Sequence, residues 1–328
     1  MKYDYISEQI ELAAMRKAAE KAIVELNSRP KDDFCGLSAM QMTKVVRPIG
    51  SDGAAVGLRD GITEDVINGV PVFRLAEEML RLAVGNEKLE LTKLGYLKRK
   101  HLTELYQHGF LPSRLIDKGY AKLSVELDWF AAGFARSLLE IGRLIRRYKG
   151  NLVPTALGKK YAAGPRVSLF TFVFGLLIHR VDWAFGFDAE LFDKIQDLAG
   201  YSFWLMHRFG SEWRKVDFYS EKFATAFPMI LPERALRPFD SGIDELIEIA
   251  LRESPEIFAA ASPRKREKPA PNNFDSPMAK RYKQAYKMRT VTLAMAFLGV
   301  IELTNENYLD PVLVRKSDLF EKLLRIEV

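Results

Sequence analysis

Cysteine is almost absent from this chain of 328 residues. Cys35 stands alone, which excludes an intramolecular disulfide and makes a reducing compartment, the cytoplasm, the expected setting. Histidine is scarce too. His101, His108, His179 and His207 include no pair four residues apart, and Cys35 has no thiol partner. No zinc site, other metal or cofactor is therefore expected. Glycine-rich phosphate loops of the GxxxxGK(S/T) or GxGxxG type are missing. The longest apolar run, residues 167–178, is too short for a bilayer, so a core helix and no membrane association are expected. Asp182, Asp188 and Glu190 lack the spacing of a nuclease or glycosidase pair and read as caps and surface charge. Ser38 lies near Cys35, but no histidine is close enough in sequence to serve as its base. These absences remove the common catalytic plans, and the expectation is that the chain is not an enzyme.

What is present is a globular composition, 48% hydrophobic and 28% charged, with a net charge of +6. That excess is unevenly placed. Residues 88–166 hold sixteen Lys or Arg against six Asp or Glu, so the rest of the chain is acidic on balance. A local basic region points to a polyanion partner more strongly than the overall charge does.

The hydrophobic pattern divides the chain. Residues 1–71 read as an N-terminal helical arm, ending before Arg29-Pro30, followed by a turn-rich segment. The arm either packs on the body or serves as a homodimer or partner contact. Residues 72–165 show helix, short strand, helix, helix and hairpin, the order of a winged helix, with the hairpin turning at Lys149-Gly150-Asn151. Residues 166–261 read as a helical, aromatic-rich middle region with further helices at 220–227 and 242–260. Residues 262–277 form a polar, proline-rich linker or loop. Residues 278–328 repeat the pattern of apolar helix, glycine, two strands and a helix over 318–325, which suggests a second winged-helix-like half. The expected fold class is mainly α with small β-hairpins: two winged-helix-like units around a helical middle.

Two basic clusters lie in the first unit. Lys98, Arg99 and Lys100 open its second helix, where positive charge opposes the helix dipole. Arg143, Arg146, Arg147, Lys149, Lys159 and Lys160 surround the hairpin, within a run, 143–166, that has no Asp or Glu. Each cluster is either a solvated face or a phosphate contact. The third helix, WFAAGFARSLLEI, offers only Arg136, Ser137 and Glu140 as polar groups, too few for reading base edges. The expected function is therefore non-catalytic binding of duplex DNA or another nucleic acid through backbone phosphates. The rival is a protein-interaction scaffold whose basic hairpin is merely solvated. His101 and His108, seven apart, are expected as an exposed pair, Cys35 as a small buried hydrophobe, and Asp128 as the cap of the third helix.

The box LELTKLGYLKRKHLTELY, residues 89–106, resembles the LTKxGxL segment of uncharacterised prokaryotic proteins, some found beside plasmid-ORF-3-like domains or SEC-C motifs. LNSRPKDDFCGLSAMQM, residues 26–42, and YKMRTVTLAMAFLGVIEL, residues 286–303, are similar to segments that travel with that box. A single cysteine cannot supply a SEC-C site. The resemblance implies architecture and no known activity.

Overall fold

The structure, a computed structural model, describes residues 2–183, 195–231, 274–304 and 312–328, which are mainly helical with small antiparallel sheets. The expected helix at 242–260, the 262–277 stretch up to 273, and Asp188 and Glu190 lie outside the described residues.

Helix α1 (Lys2–Ser28) buries Ala22 and Leu26 near its end and stops ahead of Pro30. Helix α2 (Ala39–Val45) is opened by a reciprocal cap: the Gln41 amide donates to Ser38 Oγ at 3.2 Å, and the Ser38 amide donates to Gln41 Oε1 at 2.9 Å. Strand β1 (Val56–Leu58) and helix α3 (Glu64–Asn68) complete the turn-rich segment.

Next come α4 (Pro71–Gly85), β2 (Leu89–Glu90), α5 (Arg99–Gln107), α6 (Arg114–Asp117), α7 (Phe130–Ile141), β3 (Ile145–Tyr148), β4 (Asn151–Pro154) and α8 (Ala156–Ala163). The sheet runs β2-β4-β3, antiparallel throughout, with Leu89 and Arg147 both opposite Leu152. Lys149 and Gly150 adopt φ of 45° and 71°, the two left-handed residues of a tight hairpin turn whose twist suits the strands. The third helix departs from expectation at its start. Asp128 does not cap it; Trp129 precedes it, and Asp128 Oδ2 instead accepts from the Ser124 and Val125 amides, each at 2.8 Å. At the far end Arg143 takes the left-handed φ of 55°, not Gly142. Gly142 is required for another reason: a β-carbon there would stand 2.6 Å from Leu176.

Helix α9 (Arg166–His179) packs on α7 and α8 as a core helix. It is followed by α10 (Ala199–Phe209), β5 (Arg214–Lys215) and α11 (Val216–Ala226). Helix α12 (Pro277–Tyr286) continues as π-helical turns over Lys287–Ala296. Strands β6 (Ile301–Thr304) and β7 (Leu313–Lys316), helix α13 (Asp318–Leu323) and strand β8 (Leu324–Ile326) finish the chain. The second sheet runs β5-β7-β6, the same order as the first.

The repeat extends to individual bonds. The Leu144 amide reaches back to Leu139 O at 2.8 Å, as Val300 does to Met295 O at 3.1 Å. The Thr155 and Ser317 amides donate to Leu144 O and Val300 O, both at 3.0 Å. Their hydroxyls donate to Arg143 O and Gly299 O, both at 2.7 Å. Arg143 and Gly299 occupy the same left-handed position, which costs the arginine strain that glycine avoids. Strand β5, within the stretch that reads as a helical middle, is the edge partner of β7. The C-terminal helix, expected through Arg325, ends at Leu323, because the chain then extends to pair Ile326 with Val56 of β1. One hydrophobic cluster runs from Leu37 to Leu324 across these elements.

Candidate nucleic-acid interface

Hairpin β3–β4 has two chemically distinct faces. Ile145 and Arg147 lie opposite Pro154 and Leu152, on the side where Leu152 is fully buried. Arg147 reaches from that side to Glu140 of α7 at 3.0 Å and lies over the turn at Gly95. Alternation places Arg146 and Tyr148 on the outer face. Arg146 and Lys149 each sit 5.3 Å from the centre of the Tyr148 ring, so an exposed tyrosine is bracketed by two cations. Neither cation has a carboxylate partner among the described residues.

The sheet brings the second basic cluster alongside. Glu90 of β2 is opposite Asn151, and the Leu91 amide donates to Gly150 O at 3.0 Å, so β2 flanks the hairpin tip. The Lys98 amide in turn donates to Glu90 O at 3.1 Å, which sets the start of α5 beside that tip. Glu90 forms ion pairs with Lys100 and, at 3.8 Å, with Lys98. Lys100 foremost, then Lys98 and His101, hold the Glu90 carboxyl below the usual range against a smaller effect of desolvation. Arg99 is exposed and has no such partner among the described residues. The lysines at the helix start thus have a local counter-charge, which offsets their conflict with the helix dipole.

Arg143, Lys159 and Lys160 belong to the other end of the hairpin. The Thr155 side chain ties Arg143 to the start of α8, which carries the two exposed lysines. The structure therefore gathers Lys98, Arg99, Lys100 and Lys149 at the tip and Arg143, Lys159 and Lys160 at the base. Arg146 and Arg147 stand between them on opposite faces. Arg166, the last residue of the basic run, faces inward. It donates to Glu77 at 2.7 Å, Glu64 at 2.8 Å and Asn68 at 2.7 Å. The Glu77 pair raises its already high pKa further.

Helix α7 presents little polar surface. Seven of its side chains are buried, and Arg136, one of its few polar groups, is 7% exposed. Arg136 pairs with Glu126 at 2.8 Å and donates to Gly95 O at 2.9 Å. Burial pushes the Glu126 carboxyl up, and the Leu97 amide, donating at 2.7 Å, and Arg136 pull it back.

Other expectations change. His101 is buried at 6% exposure, and its Nε2 accepts from the Glu90 amide at 3.2 Å, because α5 turns it under β2. His108 is exposed, as expected, and lies 3.3 Å from Glu78. Cys35 is half-buried with a left-handed φ of 55°. Tyr148 is the residue of this candidate face that charge counting missed; its place two residues from Arg146 on a strand was the available signal. Among the described residues no three His, Cys, Asp or Glu side chains gather as a metal group, and no helix is long and apolar enough to cross a membrane.

Residues 68–167 match the family model described as the Y4jL N-terminal domain. The matched stretch contains α4 through α8, the whole unit that carries the hairpin. No curated protein and no solved structure matches the chain.

Proposed function

We propose that this chain is a non-catalytic nucleic-acid-binding protein of the cytoplasm, contacting backbone phosphates through the wing of its first winged-helix unit. The observation that carries this reading is the outer face of hairpin β3–β4. There Arg146 and Lys149 flank an exposed Tyr148 without a carboxylate partner among the described residues, and Arg99 lies near the tip. Backbone contact of this kind is electrostatic and indifferent to sequence. The burial of α7 supports that indifference, since base-edge readout needs exposed donors in a groove.

The test is duplex binding at several salt concentrations. Reversing Arg146, Arg147 and Lys149 to Glu weakens binding to any duplex and flattens the salt dependence by roughly one unit per lost phosphate contact. Arg147 contributes least, because Glu140 already neutralises it. Sequence-specific binding unaffected by the triple reversal refutes the wing as the contact.

A second reading, a protein-interaction scaffold, has its own observation. Leu115, Tyr120, Leu127 and Phe130, 55–77% exposed, crowd the connection from α6 to α7. Apolar side chains concentrated in one segment favour a protein partner. Absence of duplex binding at low salt leaves this reading in place.

A further inference from the structure

A second concentration of positive charge lies in the C-terminal half, outside the basic run. Helix α12 exposes Lys280 and Gln284 and half-exposes Lys283 and Lys287. Spacings of three and four residues put these side chains on one face. Facing them is the junction of β5 and α11, where Lys215 precedes the helix in extended backbone. Together with Val216, Asp217 and Val312 they line a cleft of about 300 Å³.

Among the described residues the charges lining this cleft are not balanced. Lys283 is anchored to Asp217 at 3.3 Å and to Glu221 at 2.6 Å, so the one carboxylate lining the cleft is already engaged. Lys215, Lys280 and Lys287 have no carboxylate partner among the described residues. Three ammonium groups converging on one concavity repel one another, and an anion seated among them removes that cost. Gln284 adds an amide donor at the same place.

The position also has a counterpart. Lys215 precedes α11 with φ −62° and ψ 142°, and Lys98 precedes α5 with φ −65° and ψ 148°, each at the second helix of its repeat. In the first repeat Glu90 neutralises that lysine's neighbourhood. The third helices differ in the opposite sense: α7 is nearly covered, whereas α12 presents a face of lysines and glutamine.

We propose that this cleft is a second anion site, seating a phosphate of a polynucleotide backbone between α12 and the start of α11. It rests on the nucleic-acid reading above but not on hairpin β3–β4.

Two triple variants of the full chain separate the two sites. One carries the wing reversals. The other carries Lys215→Glu, Lys280→Glu and Lys287→Glu, leaving the Lys283 pairs intact. Each is titrated with one short duplex across a series of salt concentrations. The cleft variant is expected to lower affinity at least tenfold at low salt and to flatten the salt dependence by about one unit, the share of the one phosphate seated there. Loss in the cleft variant with an unaffected wing variant refutes the wing and upholds the cleft. Loss in the wing variant alone overturns the cleft. No binding by the parent chain overturns both. Acetylation of the parent protein with and without the duplex guards against misfolded variants. Protection of Lys215, Lys280 and Lys287 supports the site, and unchanged reactivity at all three overturns it.

Discussion

His101 shows how one side chain couples the basic tip to pH. Burial lowers its pKa from the ordinary 6.5, with Lys100 adding to the effect, so the ring stays neutral and its Nε2 accepts from the Glu90 amide. A histidine depressed in the folded state binds its proton more readily when unfolded. Its contribution is therefore complete above about pH 6.5 and is lost progressively as pH falls below that value. Thermal unfolding measured from pH 7.5 to 5 should show a decline that His101→Gln reduces. An identical decline in both proteins would assign it to other groups. In sequence this histidine looks like half of an exposed pair, because a seven-residue spacing fixes a helix face but not what covers it. Arg166 shows the same limit: charge counting includes it in the basic run, whereas Glu64 and Glu77, about ninety to a hundred positions earlier, hold it in ion pairs.

The elements around the hairpin are held by one buried ion pair. Glu126 and Arg136, 3% and 7% exposed, join the start of α7 to the Leu97 amide and the Gly95 carbonyl, so the turn beneath Arg147 depends on them. Removing one partner leaves a buried charge uncompensated. Glu126→Ala should cost about 3–5 kcal/mol in urea unfolding, while Glu126→Leu combined with Arg136→Met should cost much less. A single substitution costing under about 1 kcal/mol would show that water reaches the pair. The helices and both hairpins were legible from periodicity and turn residues. Lys149-Gly150 announces a tight turn, and the recurrence of helix, glycine, strand, strand and helix announces the repeat. The role of Gly142 was not legible. Its sequence context reads as a left-handed helix end, whereas the structure needs it for the approach of Leu176, a contact no local rule contains.

At the scale of the whole molecule, the last strand returns to the turn-rich segment near residue 57. Strand β8 pairs with β1, Leu324 is 1% exposed, and the Arg59 amide donates to Leu323 O at 2.9 Å. A variant ending at Leu323 leaves β1 without its partner and removes a buried leucine. It should lose more than about 2 kcal/mol in urea unfolding, a loss that a surface tail would not produce. The sequence by itself determined a mainly α chain with two small hairpins, a basic stretch around the first of them and an apolar third helix. Those properties follow from local pattern: apolar spacing, turn chemistry and charge along a short stretch. Only the tertiary structure decided that Arg214–Lys215 supplies the edge of the second sheet and that the C-terminus closes on β1. It alone also separated the cations held by Glu64, Glu77, Glu90 and Glu140 from those left facing outward. The reason is physical: a strand two residues long carries no periodicity to detect, and an ion pair between distant positions forms only once the core has brought its elements together.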